Sequence, residues 1–172
     1  MCCIAALPGS GCRMLTEADI ELFLLAKQVG TKSVDRSRKV GVVIANRNRE
    51  VVAVGFNAFP RGTRDVEARH VRPAKYLWTE HAERNAIYDA ARRGVGLDGC
   101  TMYLPWFPCM DCARAIVQSG IERLVALRPD LADRRWGEHF GAAIQLFREC
   151  GVGVDWVEDR EALFSNSSPS SE

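Results

Sequence analysis

His81 and Glu83 lie two positions apart in "LWTEHAERNAIYDA", and Cys109 and Cys112 lie three apart in "LPWFPCMDCARAIVQSG", directly after Pro108. One ring nitrogen and two sulfurs make three protein ligands, a set that suits zinc with a fourth position left open. An open position separates a catalytic site from a structural clip, because water held there gives up a proton near neutral pH. Glu83 then has a role as proton carrier rather than ligand. Each half is weak alone. A C-x-x-C pair is often a redox couple or half of a structural zinc site, and H-x-E on a helix is often plain surface. Together, with a proline before the first cysteine and a helix start at each half, they point to catalysis. Cys100 starts a strand and Cys150 ends the last helix, so both are poor fourth ligands.

The elements around these residues decide whether they can meet. Thr16 followed by Asp19 marks a helix start, and the helix ends near Gly30. "KVGVVIAN" and "EVVAVGFN" are short, valine-rich and joined around Asn46–Asn48, so they predict a β-hairpin. The run from Ala58 to Trp78 has no clean period and holds Pro60, Gly62 and Pro73, which predicts a long loop. A helix from about Thr79 to Arg93 follows, closed by Gly94 and Gly96. "CTMYL" is a strand, Cys109–Ser119 a helix, "IERLVAL" a strand, Gly137–Glu149 a helix and "VGVDWVE" a strand. Alternating helices and strands after an antiparallel hairpin predict an α/β chain with a mixed five-stranded sheet covered by helices on both faces.

In the first turn of a helix, side chains two apart can both reach a point ahead of the helix end, because Cα–Cβ bonds tilt toward the N-terminus. That places His81 and Glu83 on one target. Cys109 and Cys112 share a face, and two helix N-termini facing one point stabilise thiolates there.

A chain of 172 residues, 47% of them hydrophobic, buries one core and predicts a single domain over 15–160. The first residues, 1–14, read as a flexible tail with incidental thiols at Cys2, Cys3 and Cys12. The last, 161–172, read as a polar, disordered tail. Formal charge is +1, which argues against nucleic acid or a membrane surface as the main partner. No run approaches the roughly 20 apolar residues of a membrane span. The start resembles no signal peptide, and seven cysteines without scaffold spacing fit reduced thiols in the cytoplasm.

In order along the chain, "KVGVVIA", "GFNAFPRG", "HAERNAI" and "FPCMDCARAIVQSGI" resemble segments of the deoxycytidylate (dCMP) deaminase branch of the cytidine deaminase superfamily. The pattern H-x-E…P-C-x-x-C is a zinc deaminase signature. The resemblance implies a three-layer α/β/α cytidine-deaminase-like fold, one zinc ion per chain on His81, Cys109 and Cys112, and proton transfer by Glu83. It also implies that backbone near Ala82 meets the base, that Asn57 bonds the sugar, and that the enzyme is a homo-oligomer whose neighbours complete each site. The implied reaction is dCMP plus water giving dUMP and ammonia, in pyrimidine deoxynucleotide metabolism. Two departures matter. Members regulated by dCTP and dTTP carry a cysteine and an acidic run after the P-x-G turn, where this chain has Thr63-Arg64-Asp65. The long loop offers His70 and no cysteine, so a second zinc is not expected.

Substrate choice is less determined by motif. Arg61, Arg64, Arg69, Arg72 and Lys75 follow Asn57 against only Asp65 and Glu67, so Arg61 is a candidate for a substrate 5′-phosphate. Trp106, just before the cysteines, is a candidate wall for the base. The alternatives are a deaminase of a free base or nucleoside (guanine or cytidine), which needs no phosphate site, and a tRNA adenosine deaminase, which needs a basic stripe. A structural zinc module leaves Glu83 without purpose.

Overall fold

A computed structural model describes residues 14–158. The expected tails lie outside these residues apart from Met14, as do Cys2, Cys3 and Cys12. A hairpin opens the sheet: β1 (Gly41–Ala45) and β2 (Val51–Phe56) pair antiparallel, with a bulge between Ile44 and Ala45. Asn46 shapes the turn, its side-chain oxygen accepting the backbone N–H groups of Asn48 and Glu50. β3 (Thr101–Leu104) joins the other side of β1, also antiparallel, and β4 (Arg123–Leu127) and β5 (Gly153–Val157) continue in parallel. The sheet order is β2-β1-β3-β4-β5, the mixed five-stranded sheet that the sequence predicts.

Alternation along the strands sorts the core into two layers. Val43, Ala45, Tyr103 and Val125 face α1 (Glu17–Gly30), meeting Phe23, Ala26 and Val29. Val42, Ile44, Met102, Leu104 and Leu124 face the other way. They pack on α3 (Ala82–Arg93), α4 (Met110–Gln118) and α5 (Gly137–Glu149) through Ala86, Ile116, Phe140 and Phe147. The result is a three-layer α/β/α fold. β1 is covered on both faces and all five of its residues are buried, which is why "GVVIA" has no polar position.

The register decides what gathers at one end of the sheet. Gly41 opposes Phe56, and Val43 opposes Tyr103. The residues before β1, after β2 and after β3 therefore emerge side by side, as does the chain leaving β4, which is parallel to β3. Helices α3 and α4 begin at this same end. Gly55 lets α3 come close: a Cβ there would lie 2.2 Å from the Ala82 carbonyl oxygen and 2.5 Å from the Ala86 nitrogen.

Two boundaries differ from expectation. The catalytic-segment helix starts at Ala82, three residues later than about Thr79, because Glu80 is held extended in a bridge with Ala58 (N–O distances 2.8 and 3.1 Å). The loop before it is not structureless, since it contains a 3-10 turn at Glu67–Arg69 and the short α2 (Lys75–Trp78). No helix of the described residues is long and apolar enough to cross a membrane.

On the α1 side the sheet carries a buried polar network. Asp19, 1% exposed, receives the Tyr103 hydroxyl at 2.9 Å and the Arg123 guanidinium at 2.8 and 3.1 Å, and it closes a capping box with Thr16. Burial opposes its charge, but the bonds from Arg123, Thr16 and Tyr103 win and hold the carboxyl well below the usual range. Tyr103 is pushed up to about 12, first by burial and then by Asp19. Asp19→Ala removes the anion while Arg123 keeps Asp155 at 2.7 Å. The expected loss is about 3 kcal/mol of unfolding free energy by urea denaturation, toward the lower end for a broken buried pair. A loss below about 1 kcal/mol would show the network contributes little. Because the carboxyl is depressed, its contribution is full above the unfolded-state value and is lost as pH falls below it.

Candidate active site

His81 and Cys109 are the N-caps of α3 and α4, both with extended backbone (ψ 154° and 169°), so the first turns of the two helices point at one place. Glu83 is the second residue of α3 and Cys112 the third of α4. His81 Nδ1 lies 3.5 Å from both the Cys109 and the Cys112 sulfur. Among the described residues this is the one group of three such donors able to close on an ion, all within 4.8 Å of one another. Tetrahedral zinc with bonds of about 2.3 Å to sulfur and 2.0–2.1 Å to nitrogen sets the N–S separation at about 3.6 Å. The donors fit that ion as they stand. Two thiols so close share charge unequally: the Cys109 thiol is lowered, first by a hydrogen bond from Cys112, and Cys112 is raised by the same contact.

Glu83 stands beside this set and outside it. It is 4% exposed, and burial pushes its carboxyl above the usual range, with His81 opposing the shift and Cys109 adding to it. Behind the ligands, Glu80 Oε1 accepts the His81 backbone N–H at 3.1 Å and the Arg84 Nε–H at 2.6 Å. Arg84 is half-buried against this support. Asn85 ties α3 to the end of β2 through the Phe56 carbonyl at 2.8 Å.

A cavity of about 200 Å³ opens over His81 and Glu83. Its walls come from the sheet end described above: Arg38 and Val40 before β1, Asn57 after β2, Trp106 after β3, and Asp133, Arg135 and Trp136 after β4. Trp136 stands edge-on to His81, with centroids 6.2 Å apart, and gives the cavity an aromatic side near the ligands. Asp35, Arg72, Lys75 and Tyr76 also line it. Lys75 and Asp35 are buried together, the ammonium 2.7 and 2.8 Å from the two carboxylate oxygens.

The fold, the paired helix starts, and a donor set of one histidine and two cysteines beside a buried glutamate restrict the choice sharply. Residues 16–128 match the family of the cytidine and deoxycytidylate deaminase zinc-binding region. The chain belongs to that family. It is accordingly a hydrolytic deaminase with a zinc-binding region, and its fold is cytidine-deaminase-like. It is 39% identical over 147 residues to an uncharacterized deaminase in the luxG 3′ region of Aliivibrio fischeri, covering 84% of this chain and 96% of that one. To the deoxycytidylate deaminase of Mus musculus it is 34% identical over 127 residues, covering 70% of this chain and 68% of the relative. The fold is shared with the dCMP deaminase of cyanophage S-TIM5 in complex with dCMP and dUMP. That match has a TM-score of 0.68 at 23% identity, over 84% of this chain and all of that one.

The structure clusters His81, Cys109 and Cys112, puts His81, Glu83, Asn57 and Trp106 on one cavity wall and bonds Ala82 to Asn57, but gives two of these residues work that sequence does not reveal. The Asn57 side chain braces the deaminase's own backbone, accepting from the Ala82 N–H at 2.9 Å and donating to the Arg38 carbonyl at 3.3 Å. These bonds occupy its side-chain oxygen and one of its amide N–H groups. The Trp106 ring is covered by the Arg38 guanidinium, 3.5 Å from its centroid. Arg61 is exposed and is not part of the cavity wall. The cations there are Arg38, Arg72, Lys75 and Arg135. Of these, Arg38, Arg135 and the neighbouring Trp136 carry no local motif, and only the strand register brings them in.

Proposed function

We propose that this deaminase converts dCMP and water to dUMP and ammonia, using one zinc ion per chain, as a homo-oligomer in the cytoplasm and within pyrimidine deoxynucleotide metabolism. The observation that carries the reading is the charge of the cavity. With Glu83 set aside, four cations (Arg38, Arg72, Lys75, Arg135) face two carboxylates (Asp35, Asp133), an excess of two in a chain of net charge +1. That excess matches a phosphate monoester dianion. A nucleoside or free base brings no charge to balance it, and a tRNA substrate calls for basic residues spread along a surface rather than drawn into a small cavity. Relatives of the chain bearing the name deoxycytidylate deaminase support the same choice.

Bound at His81, Cys109 and Cys112, zinc supplies Lewis acidity that makes water a nucleophile near neutral pH. Glu83, buried beside these ligands, takes one proton from water and delivers it to the ring nitrogen, then takes the second from the hydroxyl added at C4 and delivers it to the amine, which leaves as ammonia as the C4–N bond breaks. The indole of Trp136, edge-on to His81, walls the base at this end of the cavity, which Val40 and Trp106 also line, while the Ala82 N–H stays engaged with Asn57 Oδ1.

The expected result is a kcat/KM for dCMP at least about tenfold above that for deoxycytidine, the effect of one charge-assisted contact. CMP, dCTP and guanine complete the panel. Equal rates on nucleotide and nucleoside would defeat the dCMP assignment and leave the zinc deaminase chemistry standing.

A further inference from the structure

Four cations line the cavity, and they are held in different ways. Lys75 is bound at both oxygens of Asp35. Arg135 is exposed and lies on Tyr76 at 4.0 Å. Arg72 is exposed in the long loop. Arg38 is exposed as well, but of the four it alone is tied to both chemistry-bearing segments. Its carbonyl accepts from Asn57, whose side-chain oxygen accepts the N–H of Ala82, the residue between His81 and Glu83. Its guanidinium lies over Trp106, three positions before Cys109, and Trp106 is in turn set edge-on against Phe140 at 6.0 Å. The arginine is thus registered at its backbone to the start of α3 and at its head to the approach to α4.

Resting on the nucleotide reading above, we propose that Arg38 is the residue that reads the substrate's 5′-phosphate and that Trp106 is its positioning residue. A nucleotide with its amino group at His81 and Glu83 sends its sugar and phosphate away from them, toward the wall that Asn57 and Arg38 form. Stacking covers a face of the guanidinium, but its N–H donors lie in the ring plane and stay directed along the edge, the geometry that grips a phosphate with two parallel bonds. Asp133, pinned through Oδ1 by the backbone N–H groups of Arg135 and Trp136, lies close enough to feel the Arg38 charge and shares this side of the cavity. Trp106 therefore acts on the phosphate through Arg38 rather than on the base by stacking.

The test compares kcat and KM for dCMP and deoxycytidine in the wild type, Arg38→Gln, Arg38→Lys, Trp106→Leu and the Arg38→Gln/Trp106→Leu double variant, all zinc-loaded. Arg38→Gln should lower kcat/KM for dCMP by about tenfold or more beyond any loss on deoxycytidine, mainly through KM. Arg38→Lys should recover part of it, since charge returns without the fork. Trp106→Leu should act in the same direction and add less than about twofold in the Arg38→Gln background. Calorimetric binding of dUMP against deoxyuridine should show the same pattern without turnover. Equal losses on both substrates would mark Arg38 as merely structural and overturn the proposal, and additivity of the two variants would overturn the role of Trp106. A wild-type preference that survives Arg38→Gln, or that collapses with Arg61→Gln instead, overturns the Arg38 assignment alone. A wild type without preference overturns the nucleotide reading and Arg38 with it.

Discussion

Glu83→Gln is expected to keep its full zinc content and lose turnover by about a hundred- to ten-thousand-fold, the usual worth of a positioned general acid–base group. The substitution keeps the size of the side chain and a hydrogen-bonding oxygen, and it removes only the ability to carry a proton. The site is buried, at 4% exposure, so no solvent group stands ready to replace it. Metal content should not follow, because the three donors that close on an ion are His81, Cys109 and Cys112. Burial raises the carboxyl of Glu83, which favours the protonated form it needs when it hands a proton to the leaving amine. The measurement pairs metal analysis with ammonia release on dCMP. Activity within about tenfold of wild type would remove Glu83 from the proton path.

What could be read from the sequence divides along a physical line. His81, Glu83, Cys109 and Cys112 were legible because their chemistry is local: each pair sits in one helical first turn, and spacing alone aims its side chains. The sheet was legible for the same reason, since Val42 to Ala45 and Leu124 to Leu127 are strand-length apolar runs. Arg38 and Trp136 are placed by the register of β1 against β2 and β3 and by the path of the chain beyond β4, which no short window encodes. Arg61 drew attention because charge was counted along the chain, whereas the cavity counts charge in space. The shift of the helix start to Ala82 has a similar origin, because the bridge from Glu80 to Ala58 joins residues 22 apart. Asn57 stood out by its motif, yet its bonds to Ala82 and Arg38 link three segments and become visible only when the chain is folded.

Cys112→Ala is expected to lose the metal and, with it, activity to background. Cys112 is fully buried at the third position of α4 and supplies one of three donors, so the variant leaves His81 and Cys109 as a two-ligand remnant. Zinc in such proteins is held by three or four protein ligands, and binding couples to the folded arrangement of the elements that carry them. Here the ligands belong to α3 and α4, so metal loss also unties two helices and should lower the thermal midpoint along with zinc content. His81→Ala should behave alike. Cys150→Ala, exposed at the end of α5 and outside the donor group, is the matched cysteine control and should retain about one zinc per chain. Full zinc in purified Cys112→Ala would show the ligand set to be wrong. The pairing with Glu83→Gln is what separates chemistry from scaffolding. A zinc clip that only held the fold would lose stability in Cys112→Ala and leave Glu83→Gln fully active, whereas a catalytic centre loses turnover in both variants and loses metal in only one.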